Sequence, residues 1–159
     1  MIDETDRAIL AMLQENARVP NAEIARRVGM APSAILERIR KLEERGIIEG
    51  YAVRLDPEKL GCGLLAYILV RTDERVWQRE TGHALMEIPE VQEVHHIAGE
   101  DCFLVKVRTK DTQALASLLR DRFGAIQTIR STRTTIVLNS EKETNVLPLH
   151  PPVEVSPDA

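Results

Sequence analysis

The sequence predicts an α+β chain in two parts, a head of three short helices followed by a βαββαβ domain. Three observations predict it. Between Asn21 and Arg45, apolar residues recur at helical spacing on either side of a glycine. From Leu64 onward, short apolar runs alternate with amphipathic stretches in the order strand, helix, strand, strand, helix, strand. Between the two, GIIEGYAVRLDPEKLG combines strand formers with the turn DPEKLG.

In the opening IDETD, Asp3 is placed as an N-cap with Asp6 three residues on, an acidic version of the capping box. Ile9, Leu10 and Leu13 continue as a helical stripe that ends before Pro20. This helix has no evident chemistry of its own. It is expected to pack under the next two and close a core of about 45 residues, near the lower size limit for independent folding.

The next stretch, NAEIARRVGMAPSAILERIRKLEER, reads as two helices and a tight turn. Ile24, Ala25 and Val28 make a short apolar stripe, and Gly29 supplies the left-handed residue that ends the helix. Pro32 sits in the first turn of the second helix, where a missing N–H is tolerated. Ile35, Ile39 and Leu42 then recur at i, i+4 and i+7. On 100° steps Ser33, Glu37, Arg40 and Lys41 fall roughly opposite that stripe, with Arg38 and Arg45 on its flank. A short helix, a glycine turn and a second helix with an outward polar face is the helix-turn-helix arrangement, whose second helix can lie in the DNA major groove. Ser33, Ala34 and Glu37 would then face bases, and Arg38, Arg40, Lys41 and Arg45 would serve phosphates. The competing reading is a helical hairpin with a solvated charged face.

After Gly46, the strand formers Ile47, Ile48, Tyr51, Val53 and Leu55 predict a short strand and linker leading to the second domain. LLAYILVRT from Leu64 is nearly continuous in apolar residues, which predicts a strand buried on both faces. DERVWQRETGHALMEIP is predicted helical, with Val76, Arg79 or Glu80, His83, and Leu85 or Met86 stepping along it and Pro89 closing it. VQEVHHIAG and CFLVKVRT are strands joined by the tight connection GED. DTQALASLLRDRFG is a helix with Asp111 as N-cap, Leu115, Leu118 and Leu119 inward, and Gly124 past its end. IQTIRSTRTTIVLN is a long last strand, completing the ferredoxin-like βαββαβ order. The boundaries read as a head over 1–49, a linker strand over 50–63, the ferredoxin-like domain over 64–139 and a tail over 140–159. The tail holds four prolines in twenty residues with no apolar period, so it is expected to be extended or mobile.

Such a sheet carries both helices on one face. In the first strand Leu64, Ala66, Ile68 and Val70 alternate with Leu65, Tyr67 and Leu69, so the second face is apolar too. No further helix remains to cover it, and a second copy of the same sheet is the economical cover, which predicts a homodimer. Paired second helices about 34 Å apart would then meet two half-sites of a palindrome.

Bulk properties narrow the function. A net charge of −4 excludes a protein that coats nucleic acid by bulk charge, but from Arg26 to Arg45 six Arg or Lys stand against three Glu. No apolar run approaches the ~18 residues needed to cross a bilayer, so no membrane partner is expected. Met1 leads into acidic residues rather than a signal peptide, which predicts a cytoplasmic protein. Cys62 and Cys102 form no CxxC, so neither a disulfide framework nor a zinc site is indicated. His95 and His96 are adjacent on a strand and point to opposite faces, so they do not chelate one metal together without a bulge.

Three stretches, IDETDRAILAMLQENARVPNAEIARRVGMAPSAILERIRKLEERGIIEGY, VHHIAGEDCFLVKV and STRTTIVLNSEKET, together resemble the Lrp/AsnC family of feast/famine transcription regulators. The resemblance covers roughly residues 2–147. It implies a winged helix-turn-helix head on a ferredoxin-like (RAM) domain, binding double-stranded DNA as homodimers that assemble into tetramers or octamers. It also implies a small effector, an amino acid, bound between dimers and shifting assembly or DNA affinity, with no catalytic residues, metal or cofactor. By position the effector loop is Gly99, Glu100, Asp101 and Cys102, and its partner edge is Thr132 and Thr134. Backbone N–H groups at a glycine turn suit a carboxylate, and an acidic side chain suits an α-ammonium. Cys102 stands where the family often carries an acid, with Asp101 one place earlier. The plainer reading of GED is a hairpin turn. An alternative function is an enzyme, since sirohaem decarboxylases resemble the same layout and His95 or His96 could serve a haem pocket.

Overall fold

The computed structural model describes residues 2–74, 78–99 and 102–149. Two compact units divide the chain: the described residues up to Arg54 together with those from Lys142 on, and Leu55–Glu141.

The first unit holds α1 (Glu4–Glu15), α2 (Asn21–Val28) and α3 (Pro32–Glu44). The capping box at the start of α1 forms, with the Asp6 N–H donating to Asp3 Oδ1 at 2.7 Å and the Asp3 N–H to Asp6 Oδ2 at 3.4 Å. Gly29 ends α2 at φ 70°, and the Met30 N–H reaches back to the Ala25 carbonyl at 3.0 Å. That turn lets Ile24, Ala25, Ile35 and Ile39 meet Ile9 in one core, with Met12, Leu13, Val19, Val28, Met30 and Ile48 around it.

Beyond α3 the expected strand over the linker does not form. Ile47 and Ile48 donate back to the Leu42 carbonyl at 2.9 and 3.2 Å, closing the helix, and Ile48 packs on the head core. Residues 51–56 are without regular structure, with Tyr51, Val53 and Leu55 exposed. Strand propensity expresses itself only beside a partner strand, and among the described residues none pairs with this segment. The DPEKLG turn forms, with Asp56 Oδ1 accepting from the Glu58 N–H at 3.0 Å. The described part of the tail, up to residue 149, is without regular structure and is anchored: the Gln14 side-chain amide donates to the Leu147 carbonyl at 3.1 Å and accepts from its N–H at 2.7 Å. Arg54 also donates to the Glu143 carbonyl at 3.1 Å.

The second unit is built from β1 (Leu64–Thr72), α4 (Glu80–Met86), β2 (Val91–His96), β3 (Phe103–Thr109), α5 (Thr112–Leu118) and β4 (Ile129–Ile136). The strands lie in the order β2-β3-β1-β4, every neighbouring pair antiparallel. Ala66, Ile68, Val70, Val105 and Val107 are fully buried on one face, against Leu85 and Ile88 from the α4 region and Leu115, Leu118 and Phe123 from the α5 region. The other face of β1 is less covered than expected. Leu65 is buried, but Tyr67 and Leu69 are half-buried. The register places Arg108, Lys106, Leu104, Arg133, Thr135, Glu93 and His95 around them, so that face mixes charge with apolar surface.

Helix α4 is shorter than predicted. Its start is fixed by Glu74, whose carboxylate accepts from the Thr81 N–H at 2.6 Å and the Thr81 hydroxyl at 2.8 Å. A side chain that caps a helix from seven residues upstream lies outside it, so Asp73 and Glu74 stay non-helical; Val76 lies outside the described residues. Helix α5 has its Asp111 cap, accepting from the Ala114 N–H at 2.8 Å, and runs on into a π-helical turn over Leu119–Phe123. Gly124 closes that turn with a right-handed φ of −65°, its N–H donating to the Leu119 carbonyl at 2.9 Å. Glycine is needed there for space, since a Cβ would stand 2.5 Å from the Arg120 carbonyl oxygen. Strand β4 begins three residues later than predicted because Ile126 and Ile129 are spent on turn hydrogen bonds to Phe123 and Ile126.

Gly124→Ala is therefore expected to destabilise the protein by ~1–3 kcal/mol, because backbone must move to admit the methyl. Gly50→Ala, where a Cβ meets nothing within 4 Å, serves as the control that stays near wild type. Urea unfolding midpoints of the two variants measure the difference.

Candidate functional site

Helix α3 turns Ile35, Ile39 and Leu42 into the head and leaves Ser33, Leu36, Glu37, Arg40, Lys41, Glu43, Glu44 and Arg45 exposed. Ala34 and Arg38 are half-buried on its flank. Ala34, Glu37, Arg38, Lys41 and Arg45 come together around an open depression of about 350 Å³ that Asp6 and Leu42 complete. Ser33 and Arg40 stand outside it. Arg40 Nε lies 2.9 Å from Glu44 Oε1 and Lys41 Nζ 3.5 Å from Glu37 Oε1. Both are exposed pairs one helical turn apart, the kind worth little in water and readily exchanged for another anion.

Arg38 is placed differently from the other basic residues. Its Nη1 donates to Asp3 Oδ2 and to Asp6 Oδ1, each at 2.7 Å, so the guanidinium fastens α3 to the first turn of α1. The capping N–H of Asp6 first, and Arg38 second, hold the Asp3 carboxyl below its ordinary range. A carboxyl lowered by folding contributes stability above its unfolded value and loses it as pH falls through the folded one, so the clamp weakens only in acid. On α2, Arg26 and Arg27 both bind Glu23, whose carboxyl they hold down to about 2, so part of the positive charge of that helix is matched locally. Sequence reasoning missed both the clamp and the exposure of Leu36. The clamp was not readable because its partners lie over thirty positions apart, whereas Leu36 falls one 100° step from Ile35 and was open to the same angular reading.

In the second unit, the loop between β2 and β3 begins at Ile97, whose N–H donates to the Cys102 carbonyl at 2.9 Å. Gly99 has φ 120°, a conformation that other residues rarely adopt. The Cys102 N–H donates to the Val70 carbonyl at 2.8 Å, and Val70 in turn pairs with Thr132 of β4. Cys102 and Thr132 therefore flank the end of β1, two strand spacings or about 10 Å apart. Thr132 is exposed and Thr134, paired with Ile68, is half-buried, both on the helix side of the sheet. Cys102 packs against the hydrophobic core. Glu100 and Asp101 lie outside the described residues. The adjacent histidines diverge: His95 Nε2 lies 3.1 Å from Glu93 Oε2, while His96 stacks on Phe103 with ring centroids 5.0 Å apart. The His95 hydrogen bond first, then Lys106 at 3.0 Å, hold the Glu93 carboxyl below its ordinary range. Among the described residues no helix is long and apolar enough to cross a membrane.

Comparison with known proteins places both units. Residues 2–49 match the winged helix-turn-helix DNA-binding family and residues 65–147 the Lrp/AsnC ligand binding domain. The chain is 40% identical over 148 residues to the HTH-type transcriptional regulator FL11 of Pyrococcus horikoshii, covering 93% of this chain and 97% of that protein. It is 35% identical to the leucine-responsive regulatory protein of Escherichia coli K12 over 149 residues, 92% of this chain and 90% of that protein. Its structure superposes with a TM-score of 0.88 on the transcriptional regulator NMB0573 of Neisseria meningitidis in complex with L-methionine, 32% identical and covering 94% of this chain and 97% of that one. These relatives are regulators rather than enzymes, and the decarboxylase alternative finds no support among them. The chain belongs to the Lrp/AsnC family of DNA-binding transcriptional regulators.

Proposed function

We propose that α3 is the reading helix of this regulator and that a small amino acid, bound at the β2–β3 loop, controls its grip on DNA. The observation that carries the first half is the outward face of α3, where Ser33, Glu37, Arg40, Lys41 and Arg45 are exposed while Ile35, Ile39 and Leu42 are buried. Ser33 and Ala34 lie in the first turn and face base edges, and Glu37 accepts from a cytosine amine. Arg40, Lys41 and Arg45 meet phosphates, with Glu44 and Glu37 giving up their exposed pairs as they do. Arg38 works from behind: its bonds to Asp3 and Asp6 set the orientation at which the helix is presented.

The effector half is supported by the L-methionine complex of the Neisseria relative and by the local geometry. By sequence position the effector loop is Gly99, Glu100, Asp101 and Cys102, where a glycine backbone suits a carboxylate and an acid suits an ammonium. Thr132 and Thr134 supply hydroxyls from the edge strand β4, on the far side of β1 from the loop. Two copies pair through the sheet face bearing Leu65, Tyr67 and Leu69, and dimers join into tetramers or octamers whose contacts the effector biases. The protein acts in the cytoplasm without catalysis or a cofactor.

Arg40→Ala should weaken binding to any duplex and lower the slope of log affinity against log salt by about 1 for each phosphate left without its cation; an unchanged slope would remove Arg40 from the phosphate-binding set. Asp6→Ala should lower stability by about 1–2 kcal/mol, through loss of the reciprocal half of the capping box and a guanidinium deprived of one acceptor, and weaken DNA binding with the salt slope intact. Thermal melts and salt titrations separate the two effects. L-Methionine, or another member of a panel of amino acids, should shift the mass of the assembly or its affinity for DNA, and Thr132→Val should blunt that shift. If no member of the panel moves either quantity, the effector half fails while the DNA half stands.

A further inference from the structure

Among the residues of α3, Leu36 is the only large apolar side chain left in solvent, 58% exposed. The head core takes Ile35, Ile39 and Leu42, and one residue along the helix rotates Leu36 by about 100° away from Ile35. Of its neighbours one turn away, Ser33, three residues before it, and Arg40, four residues after, are polar and exposed, while Pro32 is exposed and Ile39 buried. Arg38 lies two residues on, about 200° around the helix, so the clamp to Asp3 and Asp6 draws the opposite flank onto α1 and turns Leu36 outward.

A helix laid in the major groove meets mostly hydrogen-bonding base edges, but one base presents an apolar group there, the 5-methyl of thymine. The N-terminal residues of the second helix in a helix-turn-helix approach those edges. Leu36 falls in the N-terminal half of α3. We infer that Leu36 is a specificity-determining residue, packing its isobutyl group on the methyl of a thymine between the contacts made by Ser33 and Arg40. The other occupant of stated chemistry is a second copy of this chain. It is less favoured because the exposed side chains flanking Leu36 on the helix are, Pro32 apart, polar or charged, whereas the core of an interface between copies is depleted in charge. The inference rests on α3 being the reading helix, as proposed above.

The test needs no change to the protein at its first step. The full chain selects its preferred duplex from a random pool, and each thymine of that duplex is then replaced by deoxyuridine, which removes one methyl and keeps base pairing. One thymine per half-site is expected to lose roughly fourfold in affinity for the wild-type protein on losing its methyl, as for one buried carbon. Leu36→Ala is expected to bind more weakly than wild type and to treat the thymine and deoxyuridine duplexes alike. The inference is overturned if wild type is indifferent to every replacement, or if Leu36→Ala keeps the full penalty. A change in assembly mass in Leu36→Ala without DNA would overturn it in favour of a contact between copies. If wild type selects no sequence at all, the proposed reading role of α3 falls, and this inference with it.

Discussion

Burial of Ile35, Ile39 and Leu42 drives α3 onto the head, but hydrophobic burial is non-directional and tolerates a range of rolls about the helix axis. The directional term is the guanidinium of Arg38, held by two carboxylates at 2.7 Å each. Those carboxylates are themselves immobilised, because Asp3 and Asp6 cap the start of α1 and each other. The capping box thus does two jobs at once: it begins one helix and aims another. Everything proposed for the outer face of α3 depends on that aim, since a modest roll would exchange Ser33 and Arg40 for Glu43 or Lys41 at the foremost position.

The second unit solves a different problem. Its sheet has one face sealed by α4 and α5 and another where half-buried Tyr67 and Leu69 are interleaved with Lys106, Glu93 and Arg133. At one end of that sheet the β2–β3 loop is pinned twice, once across its own hairpin and once to Val70 of the central strand. Through Val70 the loop is joined by hydrogen bonding to the central strand, which pairs in turn with β4. Cys102, where an acid is common in the family, packs inward on the core.

Much of the fold was legible because its signals are local. Asp3, Asp111 and Gly29 fix helix ends through hydrogen bonds or a backbone angle within a few residues, and each does so here. The misjudged boundaries were decided by groups further away. Helix α4 starts where Glu74 caps it rather than where its apolar period begins. The segment after Gly46 has strand composition with no strand beside it among the described residues, and Leu42 takes the N–H groups that would have opened one. Of the site, the outward polar face of α3 was readable from a 100° step. The employment of Arg38 was not, because no pattern in sequence tells a phosphate-binding arginine from one already engaged by acids more than thirty positions away.

The pincer of Gln14 on Leu147 has a mechanical consequence. The polypeptide leaves the head after α3 and returns to it after β4, so the head is assembled from two separate stretches of sequence, and Gln14 fastens the second of them to α1. Losing the two hydrogen bonds to Leu147 would release the returning stretch from α1 without altering any residue on the outer face of α3.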